Sequence, residues 1–200
     1  MRRGPGTIST EDAARSRAQQ RALFTSSPFR AIILDPTRQG ESVGDQDKLT
    51  AVLGAVPYGA CPLPGLATAG QPQEAAWSRL AEAGYRTVVD LRAAEEPRGH
   101  DEPEAVRAAG LDYVAIPVSQ PTLGDSEFDE FRKVVGAPER RPILVHCATS
   151  NRVGALLLPY FALDEGMPLP EATRLAQQAG LRNAELQGMA VEYARRHGAR

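Results

Sequence analysis

Residues 143–158 read ILVHCATSNRVGALLL. Cys147 ends an aliphatic run, four small or polar residues follow, and Arg152 opens a second apolar run. A strand, a short loop and a helix in that order make a cradle for an anion. Loop and first-turn N–H groups point inward, and the helix dipole favours negative charge there. The anionic form of cysteine is itself a nucleophile, and a helix N-terminus beside a guanidinium favours that form. Arg152 supplies the guanidinium, whose fork matches two oxygens of a tetrahedral oxyanion. The loop residues Ala148, Thr149, Ser150 and Asn151 complete the substrate-binding cradle through their amides. The hydroxyls of Thr149 and Ser150 can hold a thiolate or a leaving group. The competing reading makes Cys147 a small buried hydrophobe that ends a strand. The strand, polar loop, glycine and amphipathic helix around it favour the reactive one.

The other candidate groups carry less. Side chains alternate along a strand, so His146 points away from Cys147 and is expected to brace the loop rather than act as a base. His100 and His197 lie in polar segments and receive no role. Cys61 is distant in sequence and is expected to be an inert thiol. Two cysteines without a Cys-x2-Cys spacing make neither a disulfide framework nor a zinc site. A reducing cytoplasm is the expected compartment. No metal and no organic cofactor is implied.

The elements that must position Cys147 read clearly from about residue 61. A Pro/Gly loop around a very short strand (CPLPGLATAGQP) precedes a helix over PQEAAWSRLAEAG, with Pro72 at its start and Gly84 past its end. The strand YRTVVDL (85–91), the short helix EPEAVRAAG and the strand LDYVAIPV (111–118) follow. DSEFDEFRKVV reads as a helix with Ser126 and Asp129 in a capping pattern. After the strand RPILVHC come a helix with a kink expected at Pro159, then two closing helices. Alternating strands and near-continuous apolar strand sequence predict an α/β domain: a mostly parallel central sheet flanked by helices. Ligands of such folds bind beyond the carboxyl ends of the strands. Cys147, the segment Asp90-Leu91-Arg92 and the segment Pro117-Val118-Ser119 all lie there.

At 200 residues, 42% apolar and 24% charged, the chain suits one soluble domain plus an extension. The expected division is an N-terminal extension over 1–60 and an α/β domain over 61–200. Within the extension, residues 9–24 suggest a short helix capped by Ser9, and RAIILD (30–35) a strand. A net charge of −2 excludes a global field that would gather nucleic acid or an anionic membrane. The N-terminus lacks the apolar stretch of a secretory signal, and the longest apolar run, VGALLLPYFAL, is about half a membrane span. The expected partner is an anionic small molecule or a phosphorylated substrate.

Four segments in this order, TAGQP (68–72), TVVDLR (87–92), YVAIPV (113–118) and ILVHCATSNRVGAL (143–156), carry a resemblance. They resemble the bacterial beta-lactamase-hydrolase-like, phosphatase-like domain family, within the cysteine-dependent, protein-tyrosine-phosphatase-like superfamily. The resemblance covers roughly residues 61–165 and implies a protein-tyrosine-phosphatase-like fold. It implies Cys147 as nucleophile, Arg152 as oxyanion clamp and Arg92 as a second contact to an anionic substrate, against a surface salt bridge as the plainer role of Arg92. It also places Gln71 at the same rim.

The sequence departs from that superfamily in four places. Tyrosine and dual-specificity phosphatases carry Cys-x5-Arg, whereas this chain has Cys-x4-Arg. The tighter ring also suits a sulfane sulfur, as in rhodanese-like sulfurtransferases. Ser150 stands where the family usually has glycine, so a positive φ there would be strained. Val153 stands where phosphatases have serine or threonine. The aspartate expected after the IPV strand is replaced by Ser119-Gln120-Pro121, leaving Asp125 as the nearest candidate general acid or, alternatively, a helix cap. Three functions remain open at this point: a phosphomonoester hydrolase, a sulfurtransferase carrying a Cys147 persulfide, and a non-catalytic anion-binding module.

Overall fold

The computed structural model describes residues 43–119 and 123–200. The helix and strand expected before residue 36, and the Gln120-Pro121 pair, lie outside the described residues. Val43–Arg200 forms one compact unit. It therefore takes in residues 43–60, which composition alone groups with the extension. Leu49, Leu53 and Val56 explain why: all three are buried in one core, and Tyr85 donates its hydroxyl to Leu49 O at 3.0 Å.

Helix α1 (Val43–Val52) and one 3-10 turn lead into a hairpin of β1 (Ala60–Leu63) and β2 (Leu66–Ala69). Then follow α2 (Ala76–Glu82), β3 (Thr87–Asp90), α3 (Glu102–Ala108), β4 (Asp112–Ala115), α4 (Asp125–Gly136), β5 (Ile143–His146), α5 (Asn151–Leu163), α6 (Leu169–Gln178) and α7 (Ala184–Arg196). The sheet order is β1-β2-β5-β3-β4. Only the β1–β2 pair is antiparallel; β2–β5, β5–β3 and β3–β4 are parallel. The mostly parallel sheet expected from the alternation is thus present.

The pleat sorts β5 between two cores. Ile143, Val145 and Cys147 face the core shared with α4, α5, α6 and α7. Leu144 faces the core shared with α1, α2 and α3. His146 follows Leu144 to that side, its ring 5.9 Å from the Trp77 ring. The register makes one line across four strands: Ala69 pairs with His146, His146 with Asp90, and Asp90 with Ala115. The chain therefore leaves β2, β5, β3 and β4 at one height, which sets the segments after them on a common rim.

Helix α5 is buried along nearly its whole length and continues through Pro159. Gly154 lets it approach its neighbours. A Cβ there would sit 2.5 Å from Leu181 N and 2.6 Å from Ala176 O, so any larger residue would push the helix off the α6–α7 connection.

Candidate active site

Cys147 is 1% exposed, at the carboxyl end of β5, with its N–H on Ala69 O at 3.4 Å. The loop then turns outward. Ala148 and Thr149 are exposed, and Ser150 is buried again. Thr149 bridges to Gly70, and Gln71 N donates to Ala148 O at 3.1 Å, which ties the loop to the end of β2. Ser150 has φ 63° and ψ 0°, the left-handed conformation that reverses the chain into α5. That conformation is costly for serine. Its Oγ donates to Ala179 O at 2.7 Å, a buried bond that helps hold it there. Asn151 turns its Oδ1 away from the loop, accepting from Arg182 N at 2.7 Å and Asn183 N at 3.1 Å. Among the described residues, no backbone carbonyl accepts from the N–H of Ala148, Thr149, Asn151 or Arg152. Those amides are the open donors of a loop and a helix start, a nest for an anion.

Arg152 is fixed from the far side. Its Nη1 donates to Glu96 Oε1 at 2.5 Å and to Val118 O at 2.8 Å, and its Nη2 to Glu96 Oε2 at 2.7 Å. Glu96 is itself oriented by Ala93 N, 2.9 Å from Oε1. The Arg152 hydrogen bond outweighs burial and holds the Glu96 carboxyl below its ordinary range. Arg152 in turn titrates above its ordinary value, chiefly through Glu96, and it also interacts with Cys147. One guanidinium thus joins the segments after β3 and β4 to the start of α5.

A buried ionic layer supports this loop from behind. Asp90 accepts from Arg92 N at 2.8 Å, from Arg98 at 2.9 Å and 3.0 Å, and from the Tyr113 hydroxyl at 2.9 Å. Gln71 bridges the layer, accepting from Arg92 Nη1 and donating to Glu102 Oε2 at 2.7 Å. His146 Nε2 lies 2.8 Å from Glu102 Oε1, a close contact that lacks the in-line geometry of a hydrogen bond. Burial pushes the Glu102 carboxyl up, yet His146, Gln71 and Arg92 together hold it below its ordinary value. Asp90, Glu102 and His146 bring ligand-type atoms within 4.8 Å of one another. Arg92 and Arg98 already pair with Asp90, and Glu102 accepts from Gln71, so the cluster has the charge balance of an ion network rather than of a divalent metal site.

A family model described as DSP-PTPase phosphatase fused to NAD+ kinase matches residues 65–191. The chain belongs to that family. The beta-lactamase hydrolase-like protein of Xylella fastidiosa is 36% identical over 104 residues, 50% of this chain and 23% of that protein. The counterpart from Agrobacterium fabrum is 33% identical over 103 residues, 50% of this chain and 24% of that protein. The chain spans about a quarter of the length of these curated relatives. A DUF442 protein of Shewanella putrefaciens shares the fold, with a TM-score of 0.64 and 24% identity over 74% of this chain and 98% of its own. Membership in the phosphatase family and the tyrosine-phosphatase-like fold agree with the resemblance read from the four sequence segments.

In this phosphatase-family domain Cys147, loop residues 148–150 and the first α5 residues Asn151 and Arg152 follow one another directly from the end of β5. Arg92 is 2% exposed, so it is not a surface salt bridge; its Nη1 donates to Gln71 Oε1 and its Nη2 lies 3.4 Å from Glu96 O. Asp125 is exposed at the first position of α4, and both its oxygens accept from Arg196 at 2.7 Å. That pairing lowers its carboxyl, opposite to what a general acid needs. His146 is fully buried, but among the described residues neither of its ring nitrogens makes a hydrogen bond, so the hydrogen-bonded brace expected of it is not seen; its contacts are the Glu102 carboxylate and the Trp77 ring. His100 gains a partner the sequence does not suggest, accepting from Trp77 Nε1 at 3.1 Å. Glu96 is the residue that sequence reasoning misses. It sits in the polar run AAEEPRGH, where nothing separates it from Glu95.

Proposed function

We propose that this chain is a cysteine-dependent phosphatase that hydrolyses phosphomonoesters through a phosphocysteine at Cys147. The observation that carries the reading is Arg152, fixed by Glu96 and Val118 O in the first turn of α5, five residues after Cys147. The bound phosphoryl oxygens lie against the open loop amides and the remaining guanidinium N–H groups. Cys147 Sγ attacks phosphorus as the ester P–O bond breaks, and the leaving oxygen departs with the bonding pair and takes a proton from solvent. Water then attacks the phosphocysteine, the S–P bond breaks, and the thiolate returns with release of orthophosphate.

The carboxylate that touches Arg152 is Glu96, held ionised by that contact, and Asp125 is held ionised by Arg196. Neither is a ready proton donor. The reading therefore favours leaving groups of low basicity, which depart without a strong acid.

The test is hydrolysis of p-nitrophenyl phosphate under reducing conditions by wild type, Cys147→Ser and Arg152→Ala. Cys147→Ser is expected to abolish turnover, and Arg152→Ala to lower kcat/KM by about 10²–10³-fold. Undiminished turnover in Cys147→Ser would remove the cysteine mechanism. Sulfur transfer from thiosulfate to cyanide, with no phosphate release, would replace it by the sulfurtransferase reading that the short loop also allows.

A further inference from the structure

Tyr58 and Arg182 approach the Cys147 loop from opposite ends of the described chain, and neither is used by the chemistry above. Tyr58 is the one large apolar side chain exposed among the described residues, at 58%. Its backbone is held at φ 54°, a region a bulky residue enters only at a cost. The core gives little in return, since the ring is mostly in solvent. The ring packs on Gly70, the residue after β2 that also borders the loop. A Cβ there would be 2.7 Å from Tyr58 Cδ2 and 3.0 Å from Ala148 O, so only glycine lets ring and loop come this close.

Arg182 holds the adjoining loop residue. Its Nη2 donates to Thr149 O at 2.7 Å, its own N–H is fixed on Asn151 Oδ1, and its guanidinium carbon lies 5.3 Å from the centre of the Tyr58 ring. The side chain is otherwise exposed. A guanidinium is weakly hydrated, stacks on an aromatic face and offers a planar fork to phosphate oxygens. Here it is pre-oriented on Thr149 O, two residues along the loop from Cys147, in a side chain that is exposed overall.

We propose that Arg182, seated on Tyr58, is a second anion subsite at the mouth of the Cys147 loop, and that the preferred substrates carry a second phosphate close to the one that is cleaved. This subsite deepens the phosphatase reading and rests on it. Arg182 is a specificity residue: it touches the second phosphate and not the reacting one.

The experiment titrates the full chain carrying Cys147→Ser with inorganic orthophosphate and inorganic pyrophosphate, alone and combined with Arg182→Gln or Arg182→Lys. Pyrophosphate is expected to bind about tenfold tighter than orthophosphate, Arg182→Gln to bring that ratio close to one, and Arg182→Lys to keep part of it. A role limited to bracing Thr149 would weaken both anions equally and leave the ratio unchanged, which overturns the subsite. Orthophosphate that binds while pyrophosphate gains nothing over it overturns the subsite and leaves the phosphatase reading standing. Absence of orthophosphate binding overturns the phosphatase reading itself, and the subsite with it.

Discussion

Ser150 shows how much the loop asks of one residue. Its positive φ is legible in the sequence only through the resemblance, which places glycine there; the left-handed value bears the concern out. What the sequence hides is the compensation. The Oγ bond to Ala179 O joins residues far apart in the chain, and no local pattern announces it. Two substitutions separate the strain from the bond. Ser150→Ala keeps the unfavourable backbone and orphans a buried carbonyl, so it should destabilise the fold by about 1–2 kcal/mol. Ser150→Gly loses the same bond but relaxes the backbone, and should stay within about 1 kcal/mol of wild type. Chemical denaturation of the two variants gives the order; Ser150→Ala as the more stable would mean that the left-handed turn carries no cost.

At the scale of elements, the strand ends were readable and the helix caps less so. Apolar strand sequence identified β3, β4 and β5, and parallel pairing then brought Arg92, Val118 and Cys147 to one rim. The start of helix α4 differs from the capping pattern expected of it. Its first turn is closed by Glu127, whose Oε2 accepts from Gly124 N at 2.8 Å, rather than by Ser126 with Asp129. Asp129 instead accepts from the Tyr193 hydroxyl of α7, a long-range partner that a local capping pattern cannot reveal. The same helix start holds Asp125 on Arg196. Asp125→Asn is therefore expected to change kcat on an aryl phosphate by less than about twofold and to leave the basic limb of the pH–rate profile in place. A flattened basic limb would return Asp125 to the role of general acid.

For the whole molecule, the α/β architecture followed from alternation and composition, while the ionic layer behind the loop did not. Asp90, Arg92, Arg98, Glu102 and His146 are spread over some 57 positions, from Asp90 to His146 inclusive, and only the sheet register gathers them. Among the described residues, no helix is long and apolar enough to cross a membrane. The ionic layer predicts an acid limb in stability. A carboxyl whose folded value lies below its ordinary 4.5 stabilises the fold while ionised, and that contribution disappears as pH falls through and below this range. Glu102→Gln should therefore lower stability at neutral pH by about 2 kcal/mol and make the loss between about pH 5 and 3 shallower. An unchanged acid limb, measured as melting temperature against pH, would mean that Glu102 is not ionised in the fold.

In the proposed reaction phosphate passes through a covalent bond to Cys147. Rapid acid quench of the enzyme during turnover of an aryl phosphate, followed by peptide mass analysis, tests it directly. A phosphoryl group is expected on the peptide that contains Cys147, and none when Cys147→Ser is treated alike. Steady phosphate release with Cys147 left unmodified, or a sulfane sulfur found there in place of phosphate, would contradict it.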